Sequence, residues 1–456
     1  MPYIWALSLT AALGGLLFGY DWVVIGGAKP FYEAFFNLTT SFEIGWAMSS
    51  ALVGCLVGAL LSGGPADRFG RKRLLILAAA LFTISAVGTA LARRFSGFVW
   101  YRLLGGVGIG LASNLSPMYI AEISPAEMRG KFVSINQLTI VIGILAAQTA
   151  NWLIAQPVPA GASAEEILQS WNGQYGWRWM FGAETLPAAC FLLAMFLVPE
   201  SPRWQVKNGR YDSALRTLAK IGGDDFAQQS MREIQATLAG ENRRVNYREL
   251  LQPPLLRVLT IGVTLAVFQQ WCGINVIFNY AEEVFAAAGY GVSDILFNIV
   301  ITGTINLLFT FIAIRTVDRW GRKPLLIVGA GGLSILYVLL GAGYRLHLTG
   351  PLMLLLVVAA IACYAMSLAP VVWVVISEIF PNRIRGAAMA VSVSALWIAC
   401  FVLTYTFPYL NRAFGASGTF WIYTAVCVGG FFFILHKVPE TKGKSLEEIE
   451  TALMRS

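Results

Sequence analysis

Twelve long apolar runs govern what this chain can become. They lie near residues 4–27, 43–65, 74–92, 98–121, 131–155, 178–198, 256–287, 294–315, 325–343, 351–377, 385–410 and 419–436. At about 1.5 Å per helical residue, each is long enough to cross a hydrocarbon layer of about 30 Å. Charged residues make up only 13% of the chain, where a soluble domain carries about 25%. The expected fold class is an all-α membrane protein with twelve transmembrane helices. The first run is too long, and too closely followed by others, to read as a cleaved leader.

The chain is also written twice. Asp67-Arg68-Phe69-Gly70-Arg71-Lys72 returns as Asp318-Arg319-Trp320-Gly321-Arg322-Lys323. The stretch Glu122 to Gly130 is echoed by Glu378 to Gly386, and Pro199-Glu200-Ser201-Pro202-Arg203 more loosely by Pro439-Glu440-Thr441-Lys442-Gly443. Three markers in one order at similar offsets imply two parallel halves, a known transporter plan. The division expected is a six-helix bundle over 1–199, a cytoplasmic helical linker over 200–255, a second six-helix bundle over 256–437 and a cytoplasmic tail over 438–456. The linker contains helical runs at Tyr211–Ile221 and Phe226–Leu238, parted by Gly222-Gly223, and no nucleotide or catalytic signature.

A net charge of +8 raises the question of a nucleic-acid partner, and the distribution of charge argues against one. Of 33 Lys and Arg residues, 26 lie near 67–73, 129–131, 200–257, 315–323, 383–385 and 437–456, whereas the alternate loops hold Lys29, Arg93, Arg94, Arg178, Arg345 and Arg412. The positive-inside rule then puts both termini in the cytoplasm, with Arg93 and Arg94 a local exception. The basic excess reflects topology and attraction to anionic lipid. The six cysteines all fall in apolar runs, without metal-ligand spacing, and are expected to be packing residues. Neither His347 nor His436 is placed for a buried proton relay, and no nucleophile–base set is visible. No metal, no cofactor, no nucleic acid and no enzymatic activity are expected. The short tails suggest a bacterial inner-membrane protein, and the chain is expected to work as a monomer in the lipid bilayer.

Charges inside the runs are the first functional signal, because an intramembrane charge is unfavourable by at least about 2.5 kcal/mol and so has a partner or a function. The first run contains Asp21 and the fourth contains Arg102. Their distances from the span ends put both in the outer half, and Glu184, early in the sixth span, in the same layer. A carboxylate beside a guanidinium is switched by protonation, which makes Asp21, Arg102 and Glu184 candidates for proton coupling. A static pair fixing two helices remains the other reading.

The second signal is polar. Gln269, Gln270 and Asn275 interrupt the seventh run, and Gly273 among them can break the helix. Amides donate and accept, which suits hydroxyl groups. With Gln137, Asn306, Trp373 and Trp397 on other spans, they favour a hydrophilic, uncharged ligand. Aromatic faces beside amides suit a sugar.

These motifs resemble the sugar porters of the major facilitator superfamily over essentially the whole length, and most nearly the bacterial xylose–proton symporters. The residues that carry the likeness are Asp67–Lys72, Arg102-Leu-Leu-Gly-Gly, Pro117 to Glu122, Pro199 to Trp204, Gln269 to Asn275, Asp318–Lys323, Ser377 to Pro381 and Pro439 to Gly443. The resemblance implies two pseudo-symmetric six-helix bundles and alternating access. It implies sugar contacts at Phe18, Gln137, Gln269, Gln270, Asn275, Asn306, Trp373 and Trp397, and an outer gate at Tyr280. Asp21 matches the acid of proton-coupled members, and Arg102 its partner. Asp67, Arg71, Glu122, Arg129, Glu200, Arg203, Arg322, Glu378 and Arg385 are implied as a cytoplasmic salt-bridge gate. Four positions depart from the xylose symporter pattern: Ile144 stands for Gln, Leu396 for an amide, Ala369 for Gly and Asn279 for a gate tyrosine. The expected function is proton-coupled monosaccharide symport. The alternative is a facilitative uniporter with a structural Asp21–Arg102 pair.

Overall fold

Where an apolar helix stops is decided by the few residues that disfavour its continuation. The computed structural model describes residues 2–125, 128–159, 162–240, 250, 252–381 and 384–442. Arg383, part of the 200–255 segment and the tail beyond Lys442 lie outside the described residues, as does the side chain of Asp318. All regular structure among the described residues is helical.

The first half holds α1 (Pro2–Phe36), α2 (Ser41–Leu61), α3 (Gly64–Phe69), α4 (Arg71–Leu91), α5 (Phe95–Ile123), α6 (Arg129–Ile154), α7 (Ala164–Gln169), α8 (Trp177–Gly182) and α9 (Thr185–Leu197). Three short helices follow: α10 (Pro202–Lys207), α11 (Tyr211–Gly222) and α12 (Asp224–Gly240). The last two lie over the expected helical runs, parted at Gly223, where φ is 86°. The second half holds α13 (Pro253–Trp271), α14 (Ile274–Asn279), α15 (Ala281–Ala286), α16 (Val292–Trp320), α17 (Arg322–Arg345), α18 (Pro351–Met366), α19 (Leu368–Ile379) and α20 (Arg385–Lys437). Among the described residues, eleven helical stretches are long and apolar enough to cross a membrane. The 53-residue α20 is broken by non-helical backbone at Gly415, so it supplies both the eleventh and the twelfth expected span.

One boundary differs from the sequence reading. The first span was expected to end near residue 27, leaving Lys29 in an outer loop. Instead α1 runs through Pro30 to Phe36. Phe31 and Tyr32 are fully buried and extend the apolar packing, and Lys29 is itself only 3% exposed. Its charge is met inside the fold, as described below, so the helix has no need to end before it.

The chain divides into two compact units that do not follow the sequence repeat. The first comprises Met1–Asp21, Gly54–Gly143 and Phe181–Arg244. In it α4 packs along α5 and α9. Here α2 approaches α5 so closely that a Cβ on Gly58 would lie 2.9 Å from the Gly110 Cα, a contact only small residues permit. The second unit comprises Trp22–Val53, Ile144–Met180 and Val245–Ser456. In it α17 packs on α18 and α20, and α13 on α19 and α20. The C-terminal end of α6 runs beside the N-terminal end of α16, with the Trp152 and Phe297 rings 5.6 Å apart and the Val158 amide donating to Ser293 at 3.0 Å.

Candidate transport site

The buried charges of the first unit come from three helices. Asp21 ends the part of α1 in this unit, Arg102 sits near the start of α5, and Glu184 precedes α9 at the turn after α8. Each is at most 2% exposed. The Arg102 guanidinium donates from Nη1 to the Asp21 carboxylate and from Nη2 to the Asp21 carbonyl at 3.3 Å. Its central carbon lies 5.6 Å from the centre of the Phe181 ring. Asp21 Oδ2 and Glu184 Oε1 have no hydrogen-bond partner among the described residues. Glu184 lies within electrostatic reach of both Asp21 and Arg102. Two carboxylates thus share one guanidinium, and the buried set is electrically neutral only when it carries one proton. Small neighbours make the room: a Cβ on Gly105 would lie 2.9 Å from Asp21 Oδ2.

The amides gather in the second unit. Gly273, with φ of 87°, breaks the seventh span between α13 and α14, and a side chain there would be strained and would press on the Tyr423 ring. The break turns Asn275 back toward α13, where its Nδ2 donates to Gln270 Oε1 at 2.5 Å. Gln270 Nε2 in turn donates to Gln269 Oε1 at 3.4 Å, and Gln269 Nε2 to the Leu368 and Ala369 carbonyls at 3.2 and 3.1 Å. Those carbonyls lie just past Ser367, where α18 gives way to α19. Gln269, Gln270, Asn275 and Asn306 are all buried, and so are Trp397 and the departing Leu396, Asn279 and Ile144. Trp373 is more open, at 37%. Trp397 packs against Trp22, ring centres 5.9 Å apart. Tyr280 is wholly buried, its hydroxyl donating to the Thr404 carbonyl at 2.7 Å and its ring 4.3 Å from Phe407. Phe18 and Gln137, both half-buried, belong to the first unit.

The repeated hairpins are built alike. In the first unit Arg71 bonds Glu122 at 3.0 Å and Asp67 at 3.1 Å, while Asp67 also takes Lys207 at 2.8 Å. Burial pushes the Asp67 carboxyl up, but the Lys207 hydrogen bond and the Arg71 charge outweigh it and hold the group below its ordinary value. Ser201 donates its hydroxyl to Glu122. Glu200 is used differently from the expected salt bridge. Its Oε1 accepts the backbone N–H groups of Arg71 and Lys72 at 3.0 Å each, capping α4. Glu440 does the same for Arg322 and Lys323, at 3.1 and 3.0 Å, at the start of α17. The preceding glycines, Gly70 and Gly321, both have φ above 90°. Arg322 also bonds Glu378 at 3.1 Å. Arg385 donates to the Phe380 carbonyl at 3.1 Å and pairs with no carboxylate among the described residues. Arg129 is exposed and makes no ion pair among the described residues, and Arg203 is half-buried on α10.

Two features escaped the sequence reading. Glu440 was visible only as part of the loosest of the three repeat markers. The other is Lys29, whose ammonium in the second unit holds three carboxylates: Glu33 at 3.0 Å, Glu282 at 3.0 Å and Glu283 at 2.8 Å. The adjacent pair Glu282-Glu283 near the end of an apolar run was the available signal.

The family model described as sugar (and other) transporter matches residues 7–453. The chain belongs to this family. It is 42% identical to the D-xylose-proton symporter of Escherichia coli (strain K12), the match covering 98% of this chain and 95% of that one. It is 37% identical to the arabinose-proton symporter of Bacillus subtilis (strain 168), over 99% and 95% of the two chains. Among solved structures, a partially occluded inward-open conformation of the xylose transporter XylE from E. coli superposes with a TM-score of 0.85. That match has 39% identity and covers 98% of this chain and 100% of that one. The sugar transporter family identifies the fold as that of the major facilitator superfamily, with twelve membrane-crossing helices, and the chain as a multi-pass membrane protein.

Proposed function

We propose that this member of the sugar transporter family is a proton-coupled monosaccharide symporter that works by alternating access. The observation that carries the reading is the buried set of Asp21, Arg102 and Glu184, two acids on one base. While Asp21 is ionised it holds the guanidinium and ties α1 to α5. Protonation of Asp21 ends the charge pairing, and separating a buried pair is worth about 3–5 kcal/mol. A proton can therefore change which conformation is favoured. Glu184 supplies the second carboxylate that makes the set hold a proton at all. The amides Gln269, Gln270, Asn275 and Asn306, with Trp373 and Trp397, are the proposed sugar contacts of the second unit, and Phe18 and Gln137 are proposed as sugar contacts as well. Tyr280 is the proposed outer gate. The paired and capped charges from Asp67 to Glu122 and from Arg322 to Arg385, with Arg129, Glu200 and Arg203, are the proposed cytoplasmic gate. The protein is further proposed to function as a monomer in a bacterial inner membrane with both termini in the cytoplasm.

The test is uptake by proteoliposomes of D-xylose, D-arabinose and D-glucose, with and without an imposed pH gradient. Wild type is expected to accumulate a sugar against its gradient. Asp21→Asn is expected to lose accumulation and to keep sugar exchange across the membrane. Accumulation unchanged in Asp21→Asn would remove the coupling role, and wild-type uptake that never exceeds equilibrium would indicate a uniporter.

A further inference from the structure

The outer part of α6 carries a side chain for which the symport reading has no use. Gln148 is 1% exposed, and neither its amide nitrogen nor its amide oxygen has a hydrogen-bond partner among the described residues. An amide offers two donors and an acceptor, and a buried one left unmatched needs an explanation. The ordinary explanation in a membrane-spanning helix is a hydrogen bond to a neighbouring helix. Gln148 makes none to α16. Instead its oxygen lies directly over Gly303, so close that a Cβ at that position would overlap it.

The location gives the amide a use. At 3.6 residues per turn, positions 137, 144 and 148 fall on one face of α6, so Gln148 shares the face of the proposed sugar contact Gln137. Gly303 is three residues before Asn306, on the same face of α16 and one turn away. Asn306 is 6% exposed and a proposed sugar contact. Ile144, where the xylose symporter pattern carries a glutamine, lies one turn inward of Gln148 and is 9% exposed. The amide missing at Ile144 reappears four residues on, about 6 Å further out along the helix.

We infer that Gln148 is a sugar-contacting residue that determines specificity, its amide pairing with one hydroxyl of the bound monosaccharide opposite Gly303. Nε2 donates to the hydroxyl oxygen and Oε1 accepts the hydroxyl hydrogen. The inference rests on the symporter reading, and its test separates the two.

Wild type, Gln148→Met and Gln148→Asn are compared in proteoliposomes with D-xylose, D-glucose and their monodeoxy analogues as probes. In wild type one monodeoxy analogue should show a KM about tenfold above its parent sugar, the size of one lost hydrogen bond. In Gln148→Met the parent sugar should fall to the level of that analogue, the analogue itself should not weaken further, and the other analogues should keep their ratios. Gln148→Asn should recover part of the loss. Because methionine is an apolar residue of similar size, the thermal stability of Gln148→Met should equal or exceed that of wild type. A Met variant with an unchanged analogue profile, a uniform loss across all analogues, or a Met variant less stable than wild type would each overturn the inference while leaving the symporter reading intact. A wild type that transports no sugar of the panel would take both down.

Discussion

Lys29 is the residue whose removal should be felt most. It is 3% exposed and pairs with three carboxylates at 2.8–3.0 Å, whose side chains are 17%, 25% and 22% exposed for Glu33, Glu282 and Glu283. Among the described residues three acids meet one base, and the Lys29 ammonium is the charge that offsets their repulsion. Lys29→Met keeps the volume of the apolar stem and deletes the charge. Removing one partner of a buried pair destabilises by about 3–5 kcal/mol. The acids here retain some contact with solvent, which points to the low end, about 3 kcal/mol. At roughly 2 °C per kcal/mol for larger chains, the apparent Tm should fall by roughly 6 °C. The assay is thermal unfolding of the purified protein in detergent, followed by tryptophan fluorescence at one fixed scan rate. Adding Glu282→Gln and Glu283→Gln to the Lys29→Met chain should restore most of the loss, because neutral amides no longer need a counter-charge. Glu282→Gln alone should be neutral or stabilising. If Lys29→Met unfolds at the wild-type temperature, or if the added glutamines lower it further, the cluster is not held together by charge and the argument fails.

Two further outcomes follow from close contacts and capping. Gly110→Ala would drive a Cβ into the Cys55 carbonyl and within 2.6 Å of the Ala59 nitrogen on α2, overpacking expected to destabilise by about 1–3 kcal/mol and measurable in the same thermal assay. Burial raises the Glu440 carboxyl, but the backbone N–H groups of Lys442, Arg322 and Lys323 outweigh it and hold the group below its ordinary value. A depressed carboxylate contributes stability that is fully present above its unfolded value of about 4.3 and is lost as pH falls through the folded value. Glu440→Gln should therefore be less stable than wild type at pH 7, and the gap should close as the pH drops below about 4. A gap that persists unchanged at low pH would show that the carboxylate charge is not what caps α17.

Much of the fold is legible because lipid simplifies the code. Run length sets the spans. What the pattern hid were exceptions to it. Lys29 reads as a loop residue because a lone charge near a span end normally marks the water interface, and only the fold reveals Glu33, Glu282 and Glu283 converging on it. In the seventh span Gly273 reads as a helix breaker and does split the span, yet only the fold shows that the break sets Asn275 against Gln270. Glu200 shares a motif with the inner charges and reads as a salt-bridge former. Its oxygen instead accepts two main-chain N–H groups, which composition cannot foretell.

The two halves explain why the candidate site had to be read from differences. Where they match, the same task is done twice: Glu200 and Glu440 cap the helices that begin at Arg71 and Arg322, and Glu122 and Glu378 take those two guanidinium groups. A duplicated brace is symmetric between the halves and carries no information about what is moved. The asymmetric residues do: Asp21, Arg102 and Glu184 belong to the first half, and Gln269, Gln270 and Asn275 to the second. On the proposed reading, the acids and base found in the first half alone supply the proton site, and the amide cluster found in the second half alone supplies most of the sugar site. Loss of the first should uncouple transport, and loss of the second should change what is carried. A single variant that did both would mean that the two chemistries share residues.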